Sequence, residues 1–397
     1  MVDVVTLGTF GVAALASLFM AWAIGAGSSG STPFAPAVGA NAISVMRAGF
    51  VVGLLGFFGA VLQGQNVTNA VGTELIVGQS LTATAAVVGL LTAAGLVAIG
   101  VFTGYPIATA FTVTGAVVGV GLALGGDPAW AKYQQIATLW VLTPFVGGGI
   151  AYATARTLRS QRVPERVAVP LLGGVVGVLV ATIQFALLGG AAGPRSIAQI
   201  VGARIPLPVV AGVDAGPIAA MLLLASLATG ALAYEMRRDE ARGQRRFLLA
   251  LGGLVAFSAG GSQVGLAIGP LVPLLEEVTI PLTALLVGGG VGLLVGSWTG
   301  APRMIKALAQ DYSSLGPRRS IAALIPSFAI AQAAVALGVP VSFNEIIVSA
   351  IVGSGYAAGG AGVSRQKMFY TVLAWVGSLV LALGVSYAVF VGADALV

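Results

Sequence analysis

The chain has neither cysteine nor histidine among its 397 residues, and charged side chains make up only 8% of it. Each shortage removes a class of function. Without cysteine there is no disulfide and no thiolate metal site. Without histidine the commonest metal ligand is missing, as is the side chain best suited to proton transfer near neutral pH. No nucleophile–base–orienter triad can use histidine, and so few charges leave little for a hydrolase, so an enzyme is not expected. GxxxxGK followed by Ser or Thr is also absent, which argues against ATP hydrolysis by this chain. A soluble globule carries about a quarter charged residues, so this composition does not cover a water-facing surface. The net charge of +6 comes from 19 basic against 13 acidic residues, and no nucleic-acid-binding fold signal accompanies it. Nucleic acid is not an expected partner.

What is abundant is apolar: hydrophobic residues reach 57% and mean hydropathy is +1.00. Twelve apolar segments fall near 2–24, 43–63, 79–101, 108–126, 136–155, 167–190, 208–233, 247–270, 278–298, 320–338, 345–360 and 370–393. Many approach the roughly 20 residues needed to cross a bilayer. The expected fold is an all-α polytopic membrane protein of about 12 transmembrane segments, some of them broken. Segments 108–126 and 345–360 are the candidates for breaks or re-entry. Glycine occurs 58 times and proline 18 times, a cost to helices in water but a means of close helix packing in lipid. Residues 2–24 read as a span rather than a signal peptide, because no basic residue precedes them and Asp3 is the only early charge.

Charge placement predicts orientation. With the N-terminus outside, every basic residue except Lys132, Arg195 and Arg204 falls on the cytoplasmic side, as the positive-inside rule requires. The C-terminus is then also outside. A multi-pass plasma-membrane protein is the simplest setting, with membrane lipid as a partner and Arg237–Arg246 lying near anionic headgroups. The polar residues Gln63, Gln65, Asn66 and Asn69 read as an outer loop.

Three landmarks recur in order. GAGS at Gly25–Ser28 matches GGSQ at Gly260–Gln263; GYPIAT at Gly104–Thr109 matches GVPVSF at Gly338–Phe343; Trp140 matches Trp375. The offsets are 235, 234 and 235 residues, a spacing that indicates duplication. The division expected is a first unit over 1–160, two linking helices over 161–235 and a second unit over 236–397. On the span map the two units have opposite orientation across the membrane. Many secondary transporters are built this way, with a site near the midplane where the repeats meet; a channel is compatible with the same plan.

The candidate chemistry lies in the landmarks. Ser28, Ser29, Ser31 and Thr32 interrupt an apolar region beside glycines and Pro33. A broken helix there would offer backbone N–H groups and hydroxyls to an oxyanion. Ser262 and Gln263 are the polar partners in the second half. Pro106 and Pro340 suit helix starts or breaks; Thr109 follows the first, and Ser342 and Asn344 follow the second. Glu345 is an acid beside an apolar run, with coupling or gating as its expected role, or else the aqueous end of a span.

These motifs resemble the inorganic phosphate transporter (PiT) family, whose members carry two GANDxxNxxG-like and two PxSTTH-like motifs. Gly25-Ala26-Gly27-Ser28, with Ser31 at the later Asn position, stands at the first GAND; Gly260-Gly261-Ser262-Gln263, with Leu266, stands at the second. Ala267-Ile268-Gly269-Pro270 fits the family's AIGP. Both motif Asp residues are replaced by neutral ones, and Phe111 and Glu345 stand at the two His positions. The resemblance covers nearly the whole chain. It implies transport of inorganic phosphate coupled to sodium or protons, with Ser28, Ser31, Thr109, Ser262, Gln263 and Ser342 as leading contacts. No cofactor is implied. Sodium contacts would fall on Ser28, Ser262 and Gln263, although the missing carboxylates weaken the attraction for a cation. The alternatives are a carrier of another oxyanion such as sulfate, or an anion channel. A second copy of the chain, as a homodimer, is a further partner the reading admits.

Overall fold

The computed structural model describes residues 4–185, 194–205, 207–210, 212–360 and 363–395. In lipid a backbone must satisfy its own polar groups, so long apolar runs become helices. The first is α1 (Val4–Ile24), which passes into a π-helical turn, Gly25–Ser29, and a short helix, Ala35–Gly39. Next come α2 (Val45–Gln63), α3 (Gln65–Thr73), α4 (Ala83–Thr103), α5 (Thr109–Ala123) and α6 (Trp130–Leu158). The pair α7 (Glu165–Ala181) and α8 (Ala215–Arg238) packs together. Then follow α9 (Glu240–Ile268), a 3-10 turn Gly269–Leu274, α10 (Leu282–Thr299) and α11 (Ala301–Gln310). The chain ends with α12 (Pro317–Leu337), α13 (Phe343–Tyr356) and α14 (Arg365–Asp394). The strands are antiparallel pairs of two residues, such as Ile76–Val77 with Asp127–Pro128.

All twelve expected segments carry a helix, although residues 2–3, 186–190 and 211 of the expected segments lie outside the described residues. Among the described residues nine helices are long and apolar enough to cross a membrane. The other three expected segments correspond to α5, α7 and α13, of 15, 17 and 14 residues. At about 1.5 Å per residue, α5 and α13 span only part of a core about 30 Å thick. They begin inside the bundle for the same reason. α4 and α12 end at Gly104 and Gly338, which take left-handed φ of 75° and 60°, where a β-carbon would be strained. Pro106 and Pro340 then prevent helix from resuming at once. The chain runs extended through Ala108 and Ser342 before α5 and α13 start.

Packing is interlaced between the two halves of the chain. α14 lies on α5, α6 on α13, α1 on α10 and α9 on α2. Glycines make the last two crossings possible. A β-carbon at Gly25 would strike the Leu293 carbonyl, and one at Gly296 that of Trp22; likewise Gly260 meets Gly56, and Gly59 meets Phe257. The four obstacles are backbone, so no side-chain movement relieves them. Large apolar side chains such as Leu15, Phe145 and Val380 stand outward and exposed, an arrangement suited to lipid rather than water. The basic loops gather at one end, where Arg159, Arg318 and Arg319 with Glu165, Glu240 and Gln244 line a cavity of about 680 Å³.

Two expectations are corrected. The polar run Gln63–Asn69 is not an outer loop: Gln63 ends α2 and the rest lies in α3. Gln63 is buried, donates through Nε2 to the Gln184 carbonyl at 2.9 Å and exchanges amide contacts with Gln332 at 3.3 Å. Asn66 donates to the Val335 carbonyl. These distant partners offset the desolvation that made burial look costly. The second Gly/Ser segment is also not a break. α9 continues through Ser258–Gln263 to Ile268, so the backbone there bonds within the helix, and the departure from α geometry comes at Gly269.

Candidate functional site

The polar residues of the four landmarks converge in the interior. Gln263, on α9, is completely buried, and its Nε2 donates to the Val341 carbonyl at 2.7 Å. That bond fixes the amide, turning Oε1 toward two hydroxyls. Thr109 donates to Oε1 at 2.7 Å, and Ser28 donates to it at 3.3 Å; the two hydroxyl oxygens are 3.4 Å apart. Ser28 lies in the π-helical turn and Thr109 at the first position of α5. Asn344, at the start of α13, donates to the carbonyls of Gly27 at 2.9 Å and Ile107 at 2.7 Å. Ile107 and Val341, one carbonyl in each break, are therefore each capped by an amide from another segment.

Two indoles hold the breaks in place. Trp140 on α6 donates to the Pro340 carbonyl at 2.9 Å, and Trp375 on α14 donates to the Pro106 carbonyl at 2.7 Å. Phe111, expected at a His position, stacks on Trp140 with ring centroids 3.9 Å apart. It packs rather than offering a donor.

The starts of α5 and α13 thus face one another across Ser28, Thr109, Gln263 and Asn344. The first amide groups of each helix have no intrahelical acceptor, and each start carries roughly half a positive charge from its dipole. The four side chains are themselves uncharged. Among the described residues, further buried polar atoms have no hydrogen-bond partner: Ser29 Oγ, Ser262 Oγ, Ser342 Oγ, Asn344 Oδ1 and Glu345 Oε2. Glu345 is 1% exposed, so it does not lie at an aqueous end. Not every expected residue has its hydroxyl free. Ser31 and Thr32 both donate to the Ser28 carbonyl, at 3.1 and 3.0 Å. They bear on the centre by shaping the turn around Ser28. Among the described residues no cluster of three His, Cys, Asp or Glu is placed to hold a metal.

Sequence reading missed the carbonyls of Gly27, Ile107 and Val341, because a backbone acceptor leaves no mark in composition. It also missed the partnership of Gln332 with Gln63 and with Ser258, to which Gln332 Nε2 donates at 2.6 Å. The only available signal was that each is an amide or hydroxyl in an apolar helix.

A bundle of membrane-length helices enclosing two interrupted ones is the architecture of a polytopic all-α membrane protein. The profile of the phosphate transporter family matches residues 24–386. The inorganic phosphate transporter 2-1, chloroplastic, of Arabidopsis thaliana is 25% identical, covering 91% of this chain and 68% of its own. A protein named as a phosphate permease in Thermococcus kodakarensis is 24% identical over 94% of each chain. Among solved structures, a sodium-dependent phosphate transporter superposes with a TM-score of 0.81 at 21% identity, covering 98% of this chain and all of that one. The chain belongs to the phosphate transporter family, as its resemblance to the PiT motifs implied.

Proposed function

We propose that the protein is a secondary active carrier of inorganic phosphate that works by alternating access in the plasma membrane, with both termini outside. The observation that carries this reading is the meeting of two helix starts at a buried, uncharged polar centre. An oxyanion entering there gains the amide groups and dipoles of α5 and α13, together with the hydroxyls of Ser28, Ser29, Thr109, Ser262 and Ser342. Ser31 and Thr32 support the turn, and Asn344 supports both breaks. The family and its relatives named for phosphate favour phosphate over sulfate.

Residues 1–160 and 236–397 act as inverted repeats joined by 161–235. The close crossings at Gly25 and Gly260 and the reciprocal indole bonds support that division. Transport is driven by sodium or protons. Sodium is favoured by the name of the structural neighbour, and Ser28, Ser262 and Gln263 offer oxygens for it. Among the described residues Glu345 is the buried carboxylate of this region, and an unaccompanied carboxylate out of water calls for a cation or a proton as its partner.

The test is uptake of labelled phosphate by vesicles containing the purified protein, with sodium and proton gradients set independently. Saturable uptake driven by one gradient, with weak competition by excess sulfate, is expected. Equal competition by sulfate overturns the substrate. Gradient-independent flux overturns the coupling, and large unsaturable currents would make it a channel.

A further inference from the structure

The chain has three lysines, and two of them, Lys132 and Lys367, lie 235 positions apart near the starts of α6 and α14. These are the two helices whose indoles hold the breaks. Each lysine pairs with a carboxylate that ends a short helix. Lys132 Nζ is 2.7 Å from Glu74, which follows α3; Lys367 Nζ is 3.2 Å from Asp311, which follows α11. Each also reaches a broken segment in the other half of the chain. Lys132 donates to the Gly338 carbonyl at 3.2 Å, at the end of α12. Lys367 sits 4.3 Å above the Tyr105 ring, two residues beyond the end of α4. The clusters occupy opposite ends of the bundle: Glu74 lies by the hairpin contact of Ile76 with Pro128, and Asp311 lies by the basic loops.

Burial is uneven in the same sense at both ends. The lysine side chains are 11% and 19% exposed, and their carboxylate partners 50% and 43%. A half-exposed ion pair contributes little stability, which suits a contact that must open and close in every cycle. A fully desolvated pair would resist separation. The carbonyl and ring contacts supply what a surface ion pair lacks: they tie each lysine to the neighbourhood of Pro340 or Pro106, and so to the start of α13 or α5.

We propose that Lys132 with Glu74 and Lys367 with Asp311 are two latches, one at each face, holding the approach to the opposite half's break and releasing in turn during transport. They are positioning residues and do not touch the substrate. This inference rests on the alternating-access reading above.

The natural absence of cysteine makes a direct test available. Ser313 and Val339 are buried beside the two latches, at 1% and 0% exposure. Ser313→Cys and Val339→Cys are introduced singly and labelled with a membrane-impermeant maleimide in sealed vesicles of both orientations. Lys367→Met is expected to raise labelling of Ser313→Cys several-fold from its own face without raising that of Val339→Cys. Lys132→Met is expected to do the reverse. Exchanging the charges, Lys367→Asp with Asp311→Lys, is expected to return labelling toward that of the parent, which separates a latch from general loosening. The proposal is overturned if each lysine variant leaves its own end unchanged or raises both ends alike. Phosphate uptake by the parent separates the two readings. Uptake with unchanged labelling removes the latches alone, whereas end-specific labelling without uptake removes phosphate transport and leaves the latches standing.

Discussion

Gly25–Ser28 and Gly260–Gln263 occupy equivalent positions 235 residues apart, yet they are built differently. The first lies in a π-helical turn that ends α1; the second lies within an unbroken α-helix. Their last residues meet in one hydrogen bond, Ser28 to Gln263. The difference teaches that the centre needs one short side chain on a distorted backbone and one long side chain on a regular backbone. The distortion brings the Ser28 hydroxyl forward, while the regular helix leaves Gln263 to span the distance to Val341 by its own length.

The largest expected effect removes the frame shared by both segments. Gly260→Val places a branched side chain against the Gly56 carbonyl, at a cost of about 3 kcal/mol or more. Membrane yield and thermal unfolding should both collapse; a normally folded variant would mean the crossing is looser than described. Gln263→Leu comes next. It leaves the Val341 carbonyl unpaired and takes from the Thr109 hydroxyl its 2.7 Å acceptor, with Ser28 Oγ at 3.4 Å the contact that remains; an unpaired buried group costs about 1–3 kcal/mol, so phosphate uptake should fall at least tenfold with the protein still in the membrane. Ser28→Ala loses two long neutral hydrogen bonds, to Gln263 at 3.3 Å and from Thr109 at 3.4 Å, together worth about 1 kcal/mol, and a loss of about fivefold is expected. If the serine variant proves more damaging than the glutamine variant, the division of labour between the segments is reversed. Glu345→Gln should change the dependence of uptake on the sodium or proton gradient while leaving preference for phosphate over sulfate as it was; an unaltered gradient response removes the coupling role. The smallest expected change is a matched pair. Trp140→Phe and Trp375→Phe each strip one proline carbonyl of its donor, and turnover should drop by a similar few-fold factor in both. Unequal losses would show that one break is held by something besides its indole.

Much of this could be read from residue order. Helices followed from long apolar runs, and the breaks followed from Pro106 and Pro340, because proline acts on its own backbone; that Gly104 and Gly338 end the preceding helices was not read. Ser28, Thr109, Gln263 and Asn344 were visible as polar residues at matched spacing. What could not be read depended on partners far away in the chain. Gln63 looked solvated because its neighbours are polar, but Gln332 lies 269 positions on and makes burial tolerable. The course of α9 through Gly260 and Gly261 could not be read either, since two glycines permit a break without requiring one. Ser31 and Thr32 were indistinguishable from Ser28 in composition; only the turn geometry sends their protons to a carbonyl.

The interlacing of helices carries an implication for ancestry and assembly. The Pro106 carbonyl takes its donor from α14, and that of Pro340 takes its donor from α6. Neither half of the chain supplies the indole donor for its own proline carbonyl. On the inverted-repeat proposal above, a single ancestral unit would have completed itself by insertion in both directions and pairing with an upside-down sister. The donor for the Pro106 carbonyl thus comes from the last helix of the chain to be made.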